Sequence, residues 1–403
     1  MIDQARAFAS DLEKNYPDYL PAKLMQLQLT IAGGKPSDYQ SAIQLATDLL
    51  ARVDKTAPDR ENSPQVLGEL REKALLSRGT CQLQLRNLPA ARQDYEAAKS
   101  IAPQDPVVYN SLALIALAEK KEPDAVSSFE AALNVDRTNF DALNGIITIY
   151  ARNKEFDKAH ARIDQSLSAY PNMAALHYLK AQVFGYQQNT QMVEAELNKA
   201  LELDANYLPA YSALAALYIQ SNQQDRAIAQ YQKIINLRPE NSTPYVLIGM
   251  LEDQRKNYDV AADNYRKALE KDPNSVIAAN NLAWLYASTG KGNLDEAVRL
   301  AQGAVQRNPN VSGFVDTLGW VYYKKNLHSA AVEQLRKAIS LNEAEARATN
   351  GAPSASYHYH LGMALKEKGD KEESRRELET AIRLSDKAPF ADLEEAKKAL
   401  ATL

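Results

Sequence analysis

The chain has 403 residues, of which 45% are hydrophobic and 24% charged, with a formal net charge of -4. That near-neutral, slightly acidic balance argues against nucleic acid as the main partner, because a nucleic-acid face needs a strong basic excess. Apolar runs such as Leu112–Ala118 are far shorter than a bilayer span, so no membrane-spanning segment is expected.

The chain opens on Ala5, Ala9 and Leu12 at helical spacing, followed by Pro17. This predicts a helix with the character of the second half of a hairpin whose first half lies before residue 1. The chain is therefore expected to be truncated, and the lack of a targeting segment says little about its native address. Cys81 is the single cysteine. It can form no intrachain disulfide and is expected to serve as a small apolar residue in a helix.

From there the sequence repeats itself. Pro103, Pro171, Pro239, Pro273 and Pro309 lie at intervals of 68, 68, 34 and 36 residues. Self-similarity at a period of about 34 is the mark of stacked helical hairpins. Ten hairpins follow from this register, starting near Leu20, Glu72, Pro106, Phe140, Ala174, Leu208, Ser242, Val276, Ser312 and Ala355. Their second helices carry a small residue at Ala42, Ala91, Ala125, Ala159, Val193, Ala227, Ala261, Ala297, Ala331 and Ser374.

Two interruptions break the period. Residues 55–71 are an insertion or a backward extension of the next helix, because Ser63-Pro64 has the form of an N-cap followed by proline at the first helical position. In the second, residues 342–354, the stretch Glu343–Thr349 can continue the preceding helix until Asn350-Gly351-Ala352-Pro353 stops it. Two further residues enter at Gly290–Asn293. The end of the chain, 389–403, carries Leu393, Ala396, Ala399 and Leu400 at helical spacing and is expected to cap the last hairpin.

The fullest statement of the pattern is Val315-Asp316-Thr317-Leu318-Gly319-Trp320-Val321-Tyr322, followed by Ala331, Leu335 and Ala338. The anchor, the leucine and the aromatic fall on one stripe of a helix, and Gly319 lets the partner helix come close. This hairpin resembles the tetratricopeptide repeat (TPR), and the resemblance extends over nearly the whole chain. It implies an all-α fold: a right-handed superhelical α-α solenoid of about ten hairpins, with an N-terminal half repeat over 1–19 and a C-terminal capping helix. The repeats would run over 20–54, 72–341 and 355–388 as one solenoid. The resemblance also implies that first helices line a concave groove through positions 2, 5, 6, 9, 12 and 13, where an extended peptide or a partner's helix binds. A narrower likeness joins Asn280-Asn281-Leu282-Ala283-Trp284, Asp316–Trp320 and Tyr359-His360-Leu361-Gly362 to bacterial cell-envelope TPR proteins, including those of exopolysaccharide secretion and PEP-CTERM systems. It favours the bacterial envelope or periplasm as the setting, with the cytoplasm as the alternative.

In that register Trp284 and Trp320 both fall at position 9 of adjacent repeats. Asn280, Asn281, Asp316, Thr317, Tyr323, Lys324, Tyr359, His360 and Met363 fall around them. Large aromatics beside polar groups can desolvate a ligand and orient a peptide backbone, so these eleven residues form the candidate partner-binding site. Both tryptophans are expected to be at least partly exposed. The opposing possibility is that they pack within the solenoid. Asn110 and Asn144 share position 5 with Asn280, but Tyr178, Ser212 and Val246 interrupt the ladder, leaving the first two as solvated groove residues. The carboxylate clamp of TPR co-chaperones needs Lys at position 5 with Asn at position 9, and no repeat has that pair. His358 and His360 point away from each other on a helix, and no metal or phosphate motif is found. The expectation is a non-enzymatic scaffold with no cofactor and no metal, binding a protein or peptide. The alternatives are a carbohydrate-contacting module of polymer export and the regulatory part of a longer enzyme. The sequence does not fix the oligomeric state.

Overall fold

A computed structural model of the chain describes residues 2–16, 18–386 and 390–403. Pro17 and Pro389, which mark two of the expected boundaries, lie outside the described residues, as does Met1. The described residues form helices joined by short turns, without a β-strand. Contacts divide the chain into two compact units, Met1–Ala205 and Asn206–Leu403.

The first unit begins with α1 (Ile2–Asn15) and continues through five hairpins. These are α2 (Leu20–Ile31) with α3 (Pro36–Lys55), α4 (Pro64–Gln84) with α5 (Leu88–Ile101), and α6 (Pro106–Ala118) with α7 (Glu122–Val135). They are followed by α8 (Phe140–Arg152) with α9 (Phe156–Ala169), and α10 (Ala174–Tyr186) with α11 (Thr190–Leu203). The second unit has five more: α12 (Leu208–Gln220) with α13 (Gln224–Leu237), α14 (Thr243–Gln254) with α15 (Tyr258–Lys271), and α16 (Val276–Thr289) with α17 (Leu294–Arg307). Then come α18 (Ser312–Lys324) with α19 (His328–Thr349), α20 (Ala355–Lys368) with α21 (Lys371–Ser385), and the final helix α22 (Leu393–Ala401). Each unit is thus an all-α stack of helical hairpins of the kind the 34-residue period specifies.

The local causes are visible at the helix ends. Ser63 accepts the Val66 N–H at 3.3 Å with Pro64 at the first helical position, so α4 starts well before the repeat register alone would place it. Asn139 and Asn189 cap α8 and α11 by accepting from Ala142 and Met192. The long α19 carries its extra turns past the register. Glu345 on that extension takes the Ser312 hydroxyl at 2.7 Å, which ties it back to the start of α18. In the turn lengthened by two residues, Gly292 has φ 137°, and a Cβ there would stand 2.2 Å from the Tyr286 ring.

The turn inside each hairpin obeys a rule of its own. Arg86, Lys120, Lys154, Gln188, Asn222 and Lys256 recur every 34 residues, and all have positive φ. Each follows the first helix of its repeat and ends it in a left-handed residue. The next N–H then reaches back five residues, as in Asn189 N–H to the Phe184 carbonyl at 2.9 Å and Lys121 N–H to Ala116 at 2.8 Å. That bond satisfies a carbonyl the helix would otherwise leave open. Glycine adopts this conformation without steric cost, yet it serves at few of these turns. Gln188→Gly should therefore stabilise the chain by about 1 kcal/mol. Urea denaturation checks this, and a loss of stability would count against the strain argument.

Packing follows the small residues. Ala42, Ala91, Ala125, Ala159, Ala227, Ala261, Ala297, Ala331 and Ser374 are all fully buried, so each second helix lies close against its first. At Gly319 an added Cβ would meet the Leu335 Cγ at 2.6 Å and the Leu335 backbone nitrogen at 3.2 Å. Leu335 is itself fully buried and has nowhere to move. Gly319→Ala should cost about 1–3 kcal/mol, the range for forcing a methyl into a packed core. A melting temperature unchanged from wild type would show that the hairpin can open at no cost. Cys81 is buried, and burial pushes its thiol up to about 11, as suits a small apolar core residue.

Candidate functional site

In the second unit α14, α16, α18 and α20 pack on one another in sequence, and α15, α17 and α19 each pack on the first helices before and after them. The shared register puts Trp284 of α16, Trp320 of α18 and the Tyr359-His360 pair of α20 on neighbouring helices. Trp284 and Trp320 have ring centroids 6.4 Å apart. His360 stands 4.3 Å from Trp320 and 5.5 Å from Trp284, so the imidazole lies against both indoles. Tyr323 stacks on Trp320 at 4.7 Å, Tyr359 lies 6.1 Å from it, and the Lys324 ammonium sits 4.7 Å from the same indole. Phe390 closes on Tyr359 at 5.9 Å.

A buried hydrogen bond lies beside the rings. His360 Nδ1 is 2.9 and 3.0 Å from the two oxygens of Asp316, and both residues are buried. A carboxylate can only accept, so Nδ1 carries the proton and donates it to Asp316. The bond ties α18 to α20 and fixes the plane of the imidazole that Trp320 packs on. His358 turns the other way, to Glu377 at 2.7 Å, so the two histidines serve separate partners.

The eleven candidate residues therefore separate into a floor and a rim. Trp320, expected to be partly exposed, is only 7% exposed, because four rings and Lys324 cover it. That expectation is corrected. Asp316, Thr317, Tyr359 and His360 are buried as well and cannot meet a ligand directly. Thr317 donates its hydroxyl to the Gly313 carbonyl at 3.0 Å. Trp284, Asn280, Asn281, Tyr323 and Met363 are half-buried, and Lys324 is exposed. These six form the accessible rim. Asn280 Nδ2 donates to Asn281 Oδ1 at 3.3 Å, and Asn281 in turn bonds the Tyr265 hydroxyl. Asn280 Oδ1 is buried and accepts no hydrogen bond. Asn110 is also no simple solvated groove residue, because its amide donates to the capping Asn139 at 3.1 Å. Asn144 lines an open depression with Thr148, Gln182 and Tyr186.

Sequence reasoning passed over neighbours of Trp284 on α14, α15 and α16. Asp253, Tyr258 and Ser288 line a cavity of about 360 Å³ with Trp284, Leu285, Thr289 and Lys291. The signal was present in the register, since Asp253 stands at position 12 of the repeat before Trp284. Attention to the tryptophans alone missed it.

Comparison with known proteins agrees with the repeat register. Models of the tetratricopeptide repeat match residues 116–183, residues 37–106 and 246–312, and residues 208–241, 316–345 and 355–387. The chain belongs to the tetratricopeptide repeat family, a class of protein-interaction scaffolds. It is similar to the human mitochondrial import receptor subunit TOM70, with 22% identity over 227 residues, taking in 54% of this chain and 37% of that protein. The chain thus spans well under half the length of that relative. Among solved structures, the APC/C hetero-tetramer Cut9-Hcn1 aligns at a TM-score of 0.47 with 14% identity, over 100% of this chain and 93% of that one. YrrB, described as a TPR protein with an unusual peptide-binding site, aligns at 0.38 with 21% identity, over 45% of this chain and 92% of its own.

Proposed function

We propose that the second unit binds an extended peptide segment of a partner protein along α14, α16 and α18, with Trp284 as the anchor. The observation that carries this reading is the state of Trp284. Its indole is half-exposed, yet it is held against Trp320 and His360, and His360 is itself fixed by Asp316. A large apolar ring already locked in place loses little freedom on binding, which is what an interface anchor requires. Around it the half-buried Asn281 and Tyr323 and the exposed Lys324 supply polar groups for a peptide backbone. The motifs of 280–284, 316–320 and 359–362 favour a partner in a bacterial envelope assembly, and fractionation of cells producing the full-length protein tests that setting.

Trp284→Ala tests the anchor. The variant should keep its fold and lose about 2 kcal/mol or more of binding free energy for the partner peptide, the scale of a hot-spot residue. Calorimetric titration measures it. Undiminished binding by a folded variant removes Trp284 from the site, and binding of oligosaccharides in place of peptides replaces the ligand class.

A further inference from the structure

Asp253 on α14 is half-buried and makes no ion pair among the described residues. The cations around it are engaged elsewhere. Arg255 pairs with Asp225 at 2.8 Å and Glu252 at 3.3 Å, and Lys291, which also lines the cavity, reaches Asp259 at 3.7 Å. Burial alone pushes the Asp253 carboxyl above its usual range, with no cation close enough to pull it back. The same carboxylate presses on the Tyr265 hydroxyl, whose pKa burial raises first and Asp253 raises further. A desolvated carboxylate without a counter-charge is a cost that a bound cation removes.

The walls suit such a cation. Asp253 shares its cavity with the half-exposed Trp284 indole and the Tyr258 ring. The Thr289 hydroxyl, which also lines the cavity, is already given to the Leu285 carbonyl at 2.6 Å. A guanidinium group has a flat face for an indole and five N–H donors for acceptors, and an ammonium meets the same charge and the same ring. Elsewhere in this unit the pairing is already made internally: the Arg226 guanidinium lies 3.9 Å from the Tyr218 ring.

We propose that the cavity between Asp253 and Trp284 receives an arginine or lysine side chain of the bound peptide, the carboxylate pairing with the cation and the indole covering it. This rests on the reading of α14, α16 and α18 as a peptide groove and adds to it the chemistry of one ligand side chain. A peptide that brings an acidic side chain to this position is rejected.

The test is a selection from a random dodecapeptide phage library on the full chain, with Trp284→Ala as counter-selection. Enriched peptides are then synthesised, and each basic residue is replaced in turn by a neutral isostere, citrulline for arginine. Trp284-dependent binders should carry a basic residue at a fixed place. Its neutral replacement should weaken binding by about tenfold to the wild-type chain and by little to Asp253→Asn. Binders that need Trp284 but ignore the neutral replacement overturn the basic-residue assignment and leave the groove standing. If no enriched peptide depends on Trp284, groove and assignment fall together. Asp253→Asn should melt at or above the wild-type temperature, which shows that any lost preference is not lost folding.

Discussion

Trp320→Ala should lower the stability of the 206–403 unit by about 3–5 kcal/mol, the range for removing a large aromatic from a packed core. The indole is 7% exposed and touches rings from α16, α18 and α20, so its loss opens a cavity where three repeats meet. The effect should be local to the second unit. Denaturation followed by circular dichroism, with Trp284→Ala alongside, separates the two positions: Trp284→Ala should cost far less. A Trp320→Ala chain that loses under about 1 kcal/mol contradicts the burial of this ring.

Asp316→Ala should cost about 1–3 kcal/mol, because it leaves the proton on His360 Nδ1 without an acceptor in a buried place. The pair links α18 to α20 across 44 residues of sequence, so its loss loosens the stacking of one repeat on the next. His360→Ala should remove most of the same energy, and the double variant should cost much less than the two single costs added together. Strict additivity in that cycle shows that the bond contributes nothing. Asp316→Asn, which can still accept from the imidazole through its amide oxygen, should recover part of the loss.

The repeat architecture was legible because it is written in residue spacing. Prolines and buried alanines recur with the period, and the observed helices α2, α6, α8, α10, α12, α16, α18 and α20 begin at the residues the register names. Ser63-Pro64 announced the early start of α4 because a cap is a local matter of a few residues. The candidate site was legible only in part. Register places Trp320 at a groove position, but exposure depends on what covers that position. The cover comes from Tyr323 close by and from Tyr359 and His360 on the next repeat. The Asp316–His360 bond is equally non-local. Sequence reasoning also gave no warning that Lys120, Lys154 and Lys256 would take a left-handed conformation, since a long polar side chain carries no turn signal of its own. For Asp253 the register supplied the groove position, while its half-buried carboxylate without a counter-charge shows only in the packing.

The most direct test of the account is the accessibility of each indole by itself. In Trp320→Phe protein the only tryptophan is Trp284, and in Trp284→Phe protein it is Trp320. Acrylamide should quench the first readily and the second weakly, and saturation with a selected peptide should shield Trp284 while leaving Trp320 as it was. Equal quenching of the two indoles, or a Trp284 signal that saturating peptide does not change, would contradict a half-exposed anchor on a buried floor.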